Sequence, residues 1–169
     1  LVREVFGRLG IPVALESGRA LDRSKALGAL VGLVKLDVED WPFRGLLAVL
    51  GNSYFHPEWP QWREGRAAMC AQRLVREFQA PRGRAELMAG LRRLAEQPAN
   101  GPEDEDAPAR PRRRADEARL ALDLLERLAQ AFDALPRRAT LGVWAAAWEG
   151  LARETGLLRA MRAPSPFLG

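Results

Sequence analysis

Apolar residues recur at every third or fourth position along most of this chain, which is the spacing of one face of an α-helix. The first set predicts a short helix that ends at Gly10, because glycine tolerates the backbone of a helix end. Pro12 prevents the helix from resuming, so residues 12–15 are expected to be extended. The apolar side chains of this first helix are Val2, Val5, Phe6 and Leu9.

Six longer stretches carry the same pattern and predict further helices. They cover residues 27–36, a segment that starts at Pro42 and ends near Phe55, and residues 62–79, 84–97, 116–135 and 141–152, the last with Thr140 as its cap. The predicted inner faces are Leu27, Leu30, Val31 and Val34 in the first; Ala67, Cys70, Ala71, Leu74, Val75 and Phe78 in the third; Leu87, Leu91 and Leu94 in the fourth; Ala121, Leu124, Leu125, Leu128, Phe132 and Leu135 in the fifth; and Leu141, Trp144, Ala145, Trp148, Leu151 and Ala152 in the sixth.

These elements predict a mainly α protein, an irregular domain of about six to seven helices with at most one short strand near the N-terminus. Residues 1–169 are expected to form a single domain, which is long enough to bury roughly 70% of the unfolded surface. Because a helical pattern is already under way at Leu1, we expect an excised piece of a longer chain. Residues 98–114 combine prolines with charge runs and are expected to form a flexible surface loop.

The charge of the chain is modestly positive and is carried almost entirely by arginine. There are 26 basic residues against 22 acidic ones, and only Lys25 and Lys35 are lysines. Such a bias is typical of a GC-rich genome, and it is also typical of a surface that binds phosphate, because guanidinium groups pair with phosphate bidentately. Composition alone leaves both interpretations open.

Two groups of arginines are the candidate nucleic-acid-binding residues. At about 100° per residue, Arg66, Arg73 and Arg76 share the polar side of the helix predicted over residues 62–79, with Arg63 at its edge. A solvated helix face and a contact with nucleic-acid backbone are the two interpretations of this stripe. The weaker group lies in the predicted loop, where the acidic run of residues 103–106 could neutralise it; its members are Arg112, Arg113 and Arg114.

Residue types that support most catalytic and metal sites are scarce. With one cysteine and one histidine, the chain cannot form an internal disulfide or a Cys/His zinc site, which favours a reducing, cytoplasmic location. No P-loop sequence occurs, no His/Cys/Asp/Glu cluster has metal-ligand spacing, and the single histidine cannot serve a Ser/His/Asp arrangement. Neither a cofactor site nor a catalytic site is therefore expected here. The acidic pair Glu39–Asp40 is expected to be solvated or to cap a helix. The longest apolar run, residues 26–34, is too short to span a bilayer, so no membrane contact is expected.

The two tryptophans of the last predicted helix admit two interpretations. At a spacing of four residues, Trp144 and Trp148 lie on one face. They are expected to be anchors in the hydrophobic core, and the alternative is a platform on which nucleic-acid bases stack.

An ordered set of short motifs resembles the accessory 2B-type subdomain of UvrD-like (superfamily 1) helicases, and more closely that of AddB-type helicase–nuclease subunits. The motifs are Gly10-Ile11-Pro12, the apolar helix Leu27–Leu36, Asp40-Trp41-Pro42, Ser53-Tyr54-Phe55, and the helix from Trp144 to Trp148 that leads to Gly156-Leu157. The resemblance covers about a third of the chain, and no single motif is specific.

The resemblance implies a non-catalytic domain that packs on the RecA-like motor domain of its parent chain. Such a domain would guide or grip DNA during DNA repair and recombination. One departure is the absence of the helix-hairpin-helix glycine signature by which some UvrD-like accessory domains hold duplex DNA. The alternative function is a stand-alone helical protein–protein interaction module, whose apolar groove takes a partner helix and which does not bind nucleic acid.

Overall fold

The computed structural model describes residues 24–78, 83–97 and 110–162. The helix predicted over residues 1–9, the extended segment 12–15 and most of the predicted loop therefore lie outside the described residues. Within these ranges the chain forms seven α-helices, one 3₁₀ segment and no strand, which confirms the mainly α prediction. The elements are α1 Lys25–Val38, α2 Phe43–Leu50, the 3₁₀ segment Pro60–Gly65, α3 Arg66–Phe78, α4 Arg84–Ala95, α5 Arg110–Asp133, α6 Leu141–Glu154 and α7 Leu157–Arg162.

Helix α5 is the central element, and α3 and α4 both pack along it. Its core face follows the predicted stripe and includes Ala118 and Ala121, whose small side chains let neighbouring helices approach closely. Three contacts join α5 to α4: Arg84 donates to Asp133 at 2.8 Å, Arg92 donates to Glu126 at 2.6 Å, and Arg119 donates to the carbonyl oxygen of Ala95 at 2.9 Å. Residue numbers rise on one helix as they fall on the other, so α4 and α5 are antiparallel.

The corner between α1 and α2 is formed by two residues in the left-handed region. Asp40 and Trp41 have φ values of 54° and 53°, and the Trp41 amide donates to the Leu36 carbonyl oxygen at 2.8 Å. The buried Trp41 ring lies edge-on to Phe132, with ring centroids 6.0 Å apart. The Asp40 carboxylate accepts a hydrogen bond from the Arg84 amide at 3.0 Å, so it caps α4, which is one of the two roles expected for the acidic pair.

A loop between α2 and the 3₁₀ segment docks on the turn between α6 and α7. The Phe55 ring is buried and makes edge-to-face contacts with Trp59 and Trp62. The His56 amide donates to the Thr155 carbonyl oxygen at 3.0 Å, next to Gly156, whose φ is 77°. This backbone hydrogen bond fixes the loop against the end of α6.

Three predicted helix boundaries are wrong. The helix predicted to end near Phe55 is α2, and it ends at Leu50, with Gly51 as its C-cap. The helix predicted from residue 62 begins at Arg66, because the positive φ values of Arg63 and Glu64 interrupt the helical path. The helix predicted from residue 116 begins at Arg110, so Arg112, Arg113 and Arg114 belong to α5 and not to a loop. Pro111 is compatible with this start, since the N–H that proline lacks has no intrahelical partner in the first turn.

The predicted inner face of the first long helix is also wrong. The buried residues of α1 are Ala26, Ala29, Leu33 and Leu36. The predicted stripe is only partly covered, and its member Val31 is exposed. The helix carries apolar residues on more than one side, so periodicity alone could not tell which side faces the core.

Helix α6 departs from its predicted role in a similar way. Its last turns are anchored by Leu151 and Ala152, which are buried as expected. Leu141 and Trp148 are exposed and Trp144 is only half-buried, so the prediction that both tryptophans are core anchors is wrong. The first half of α6 extends past the hydrophobic core, and nothing in the helix's own sequence distinguishes its covered half from its uncovered half.

Candidate nucleic-acid interface

Arginines from two helices meet around two glutamates on one side of the molecule. Arg73 of α3 contacts Glu117 of α5, and Arg113 donates to the same carboxylate at 3.1 Å. Across the same helix pair, Arg114 donates to the Glu77 carboxylate at 2.9 Å. An oxygen of this carboxylate also lies 3.8 Å from the Nε atom of Arg73. The structure therefore brings the two predicted groups of arginines together, although about 40 residues separate them in sequence.

This network has more positive than negative charge. Glu117 is only 7% exposed, and its carboxylate lies between the guanidinium groups of Arg73 and Arg113. A carboxylate removed from water needs such partners, since burying it unpaired would be costly. The guanidinium groups face solvent and retain further N–H donors. Three arginines against two glutamates leave an excess of one positive charge.

Two further arginines of α3 extend this charge along the helix. Arg66 is exposed in the first turn, and Arg76 is exposed near the last turn, where it donates to the Gln72 side-chain oxygen at 3.3 Å. Neither contacts a carboxylate within the described part of the chain. We define the arginine surface as these two residues together with the three of the network: Arg66, Arg73, Arg76, Arg113 and Arg114.

The remaining two predicted residues lie apart from this network. Arg63 lines a separate polar groove of about 330 Å³, which Asp123, Glu126 and Arg127 of α5 also line. Arg112 is exposed at the start of α5. It makes no ion pair to any described residue, so it is not part of the network around Glu77 and Glu117. Arg63 was predicted to lie on the same helix as Arg66 and Arg73. Its left-handed backbone places it before the start of α3, which explains why it lies apart from them.

A second surface was not anticipated from the sequence. The end of α1, the end of α5 and the first half of α6 enclose a groove of about 510 Å³, hereafter the α1–α6 groove. Burial raises the pKa of the Asp37 carboxyl at its edge; Arg84 opposes this shift, and the nearby Asp133 and Asp40 add to it. The groove is lined by Val34, Asp37, Val38, Arg84, Phe132, Asp133, Leu135, Pro136, Arg137, Trp144 and Trp148.

Two other features are absent from the described ranges, a metal-binding cluster and a membrane-spanning helix. In residues 24–78, 83–97 and 110–162, no group of three or more His, Cys, Asp or Glu side chains is arranged to hold a metal ion. Over the same ranges, no helix has both the length and the apolar character needed to cross a bilayer.

Comparison with protein-family models, with curated proteins and with solved structures finds no match for this chain.

Proposed function

We propose that this chain is a non-catalytic accessory domain of a DNA helicase or helicase–nuclease of the AddB or UvrD-like type. Two observations support the proposal, the sequence motifs that resemble this group and the arginine surface. Several of the motif residues lie at corners of the fold: Trp41 forms the turn into α2, Phe55 anchors the docked loop, and Gly156 joins α6 to α7. In this role the domain packs on the motor of its parent chain and contributes to DNA binding in repair and recombination.

The proposal that the domain binds DNA rests on the excess of arginine over glutamate on one exposed surface. Five arginines face two glutamates, which leaves a net charge of about +3 across neighbouring turns of α3 and α5. Phosphate can accept from the guanidinium N–H groups that the glutamates leave free. Such contacts follow the backbone and carry no direct sequence information, so binding is expected to be sequence-independent.

The charge excess sets the expected dependence on salt. If three phosphates of duplex DNA are neutralised, the slope of log K against log salt concentration is about −2.7. Affinity should then fall roughly 40-fold between 50 and 200 mM salt. Fluorescence anisotropy with a labelled duplex and a labelled single strand measures this slope directly.

The variant that tests the surface is Arg66→Glu combined with Arg76→Glu, because these changes leave the carboxylate pairs of the network intact. We expect the variant to bind DNA at least tenfold more weakly and to show a shallower salt slope. The matched control is Arg44→Glu combined with Arg138→Glu, which makes the same change in net charge at two exposed positions outside the surface. Equal loss in both variants would mean that overall charge, not this surface, is responsible.

The second candidate function is a helical protein–protein interaction module, and the α1–α6 groove favours it. Large exposed apolar patches on soluble domains mark interaction sites. If the wild-type protein shows no salt-dependent DNA binding, this candidate is preferred. ATPase motifs elsewhere in the same full-length polypeptide would instead support the accessory-domain proposal.

A further inference from the structure

The first half of α6 is apolar on every side, yet little of it is covered. Residues 141–148 contain no charged or polar side chain. A helix that is apolar all round is typical of a buried position, where no side of it faces water. Here none of the eight residues is buried; Leu141 is 85% exposed and Trp148 is 39% exposed. This half of the helix therefore needs a cover that the described part of the chain does not supply.

The α1–α6 groove beside this half-helix adds further apolar surface. On the α1 side Val38 is 78% exposed, and Val31, two turns earlier, is also exposed. On the α6 side lie the rings of Trp144 and Trp148, with centroids 5.8 Å apart. Of the large exposed apolar side chains in the described ranges, only Met69 lies outside these two helices. Exposed apolar surface is therefore concentrated on α1 and α6, as it is at an interaction site.

This surface is close to the size that one side of a stable dimer needs. At about 30 Å² per carbon atom, the exposed fractions of the five large apolar side chains on α1 and α6 correspond to roughly 370 Å². The exposed alanines of α6 and the partly exposed groove residues add to this value. Each partner in a standard interface buries about 800 Å², of which about 65% is apolar in homodimers, or about 500 Å².

The charges that line the groove favour neither an acidic nor a basic partner. Asp37 and Asp133 are balanced by Arg84 and Arg137, so the lining has no net charge. Arg84 already lies 2.8 Å from Asp133 and 4.0 Å from Asp37. A strongly charged partner therefore gains no electrostatic steering from this groove. A second copy of the chain brings the same balanced set, and no field of like charge opposes its approach.

We propose that two copies of this chain associate through the α1–α6 groove about a two-fold axis. Both copies use the same patch in such a dimer. The first half of each α6 lies against the α6 of the other copy and against the groove beside it, so each helix is covered on both sides. A partner helix lying in the groove alone would leave the outer side of α6 in water. This inference does not depend on the proposed contact with DNA.

Sedimentation velocity of the 169-residue chain over a range of concentrations tests the proposal. We expect mostly monomer at about 1 μM and mostly dimer at about 200 μM. Leu141→Glu should raise the dissociation constant of the dimer at least tenfold, because it places a charge in the apolar contact. The matched control is Met69→Glu, which makes the same charge change at an apolar position of α3 that is 66% exposed, and its dissociation constant should stay within about twofold of wild type.

Three results would overturn the proposal. The first is a wild-type protein that stays monomeric at every concentration, which would mean that something other than a second copy covers the groove. The second is equal weakening in Leu141→Glu and Met69→Glu, since added charge alone would then be responsible. The third is a series of species larger than a dimer, because a two-fold interface closes on itself and cannot extend.

Thermal unfolding adds a measurement that separates association from folding. Because association stabilises the folded state by mass action, the melting temperature of the wild type should rise with protein concentration. That dependence should disappear in Leu141→Glu and in Val38→Glu, both of which alter exposed residues and leave the core of the monomer unchanged. If the dependence persisted in both variants, the copies would associate through another surface and the proposal would be wrong.

Discussion

Replacement of Gly156 by alanine is expected to destabilise the protein strongly. This glycine has a φ of 77° at the turn between α6 and α7, a conformation that residues with a Cβ atom adopt at a cost. A Cβ atom here would overlap the carbonyl oxygen of His56 and lie 2.5 Å from its carbonyl carbon. Because the obstacle is backbone, no side-chain rotation can relieve it, and the docked loop must move away.

The magnitude follows from two contributions. Left-handed backbone at a non-glycine residue costs about 1–2 kcal/mol. Moving the loop also breaks the hydrogen bond from the His56 amide to the Thr155 carbonyl oxygen, which contributes about 1 kcal/mol. The sum of roughly 2–3 kcal/mol corresponds to a fall in melting temperature of roughly 4–12 °C for a chain of this length.

Circular dichroism at 222 nm during heating measures the effect, with Gly150→Ala as the matched control. Gly150 lies within α6, six residues before Gly156, and a Cβ atom there would meet no atom within 4 Å. Alanine at that site should raise the melting temperature slightly, because it favours helix by about 0.5–1 kcal/mol relative to glycine. If Gly156→Ala melted at or above the wild-type temperature, the docking of the loop on the α6–α7 turn would be refuted.

Two further predictions concern a titrating carboxyl and the core. Because burial raises the pKa of Asp37 above its ordinary value of 3.8, ionising this group costs stability as pH rises through the folded pKa. Asp37→Asn should therefore melt higher than the wild type at pH 7, and a gain that persisted unchanged below pH 3.8 would have another cause. Leu91→Ala should lose about 2–5 kcal/mol in urea unfolding, since Leu91 is fully buried, whereas Met69→Ala at an exposed site should change stability by less than about 0.5 kcal/mol. Similar losses in both variants would contradict the assigned core.

The predicted inner faces agree with the structure where a helix has one apolar side. On α4 the three leucines predicted to lie inside are buried, and on α5 Leu124, Leu125 and Leu128 are fully buried. Each of these helices carries charge opposite its apolar stripe, so periodicity identifies the core face. On α1 apolar residues occur on more than one side, and there the periodicity indicated the wrong face.

The candidate site could be predicted only in part. The α3 stripe was recognisable from helical spacing, since Arg66 and Arg73 lie two turns apart. Arg113 and Arg114 come close to this stripe only because α3 and α5 pack together, and the residue pattern of neither helix predicts that packing. The α1–α6 groove was missed for a related reason: an apolar stripe shows that a face is suited to burial, and it does not show whether a neighbour covers it.

The two proposed surfaces lie at opposite ends of α5, and this placement bears on the proposed function. The arginine surface includes Arg113 and Arg114 in the first turns of α5, and the α1–α6 groove includes Phe132 and Asp133 at its last turn. The twenty residues between them correspond to about 30 Å of one helix. Because α3 and α4 pack along α5, they should resist bending of α5 over most of that distance. If a partner occupied the groove while DNA bound the arginine surface, α5 would therefore hold the two about 30 Å apart.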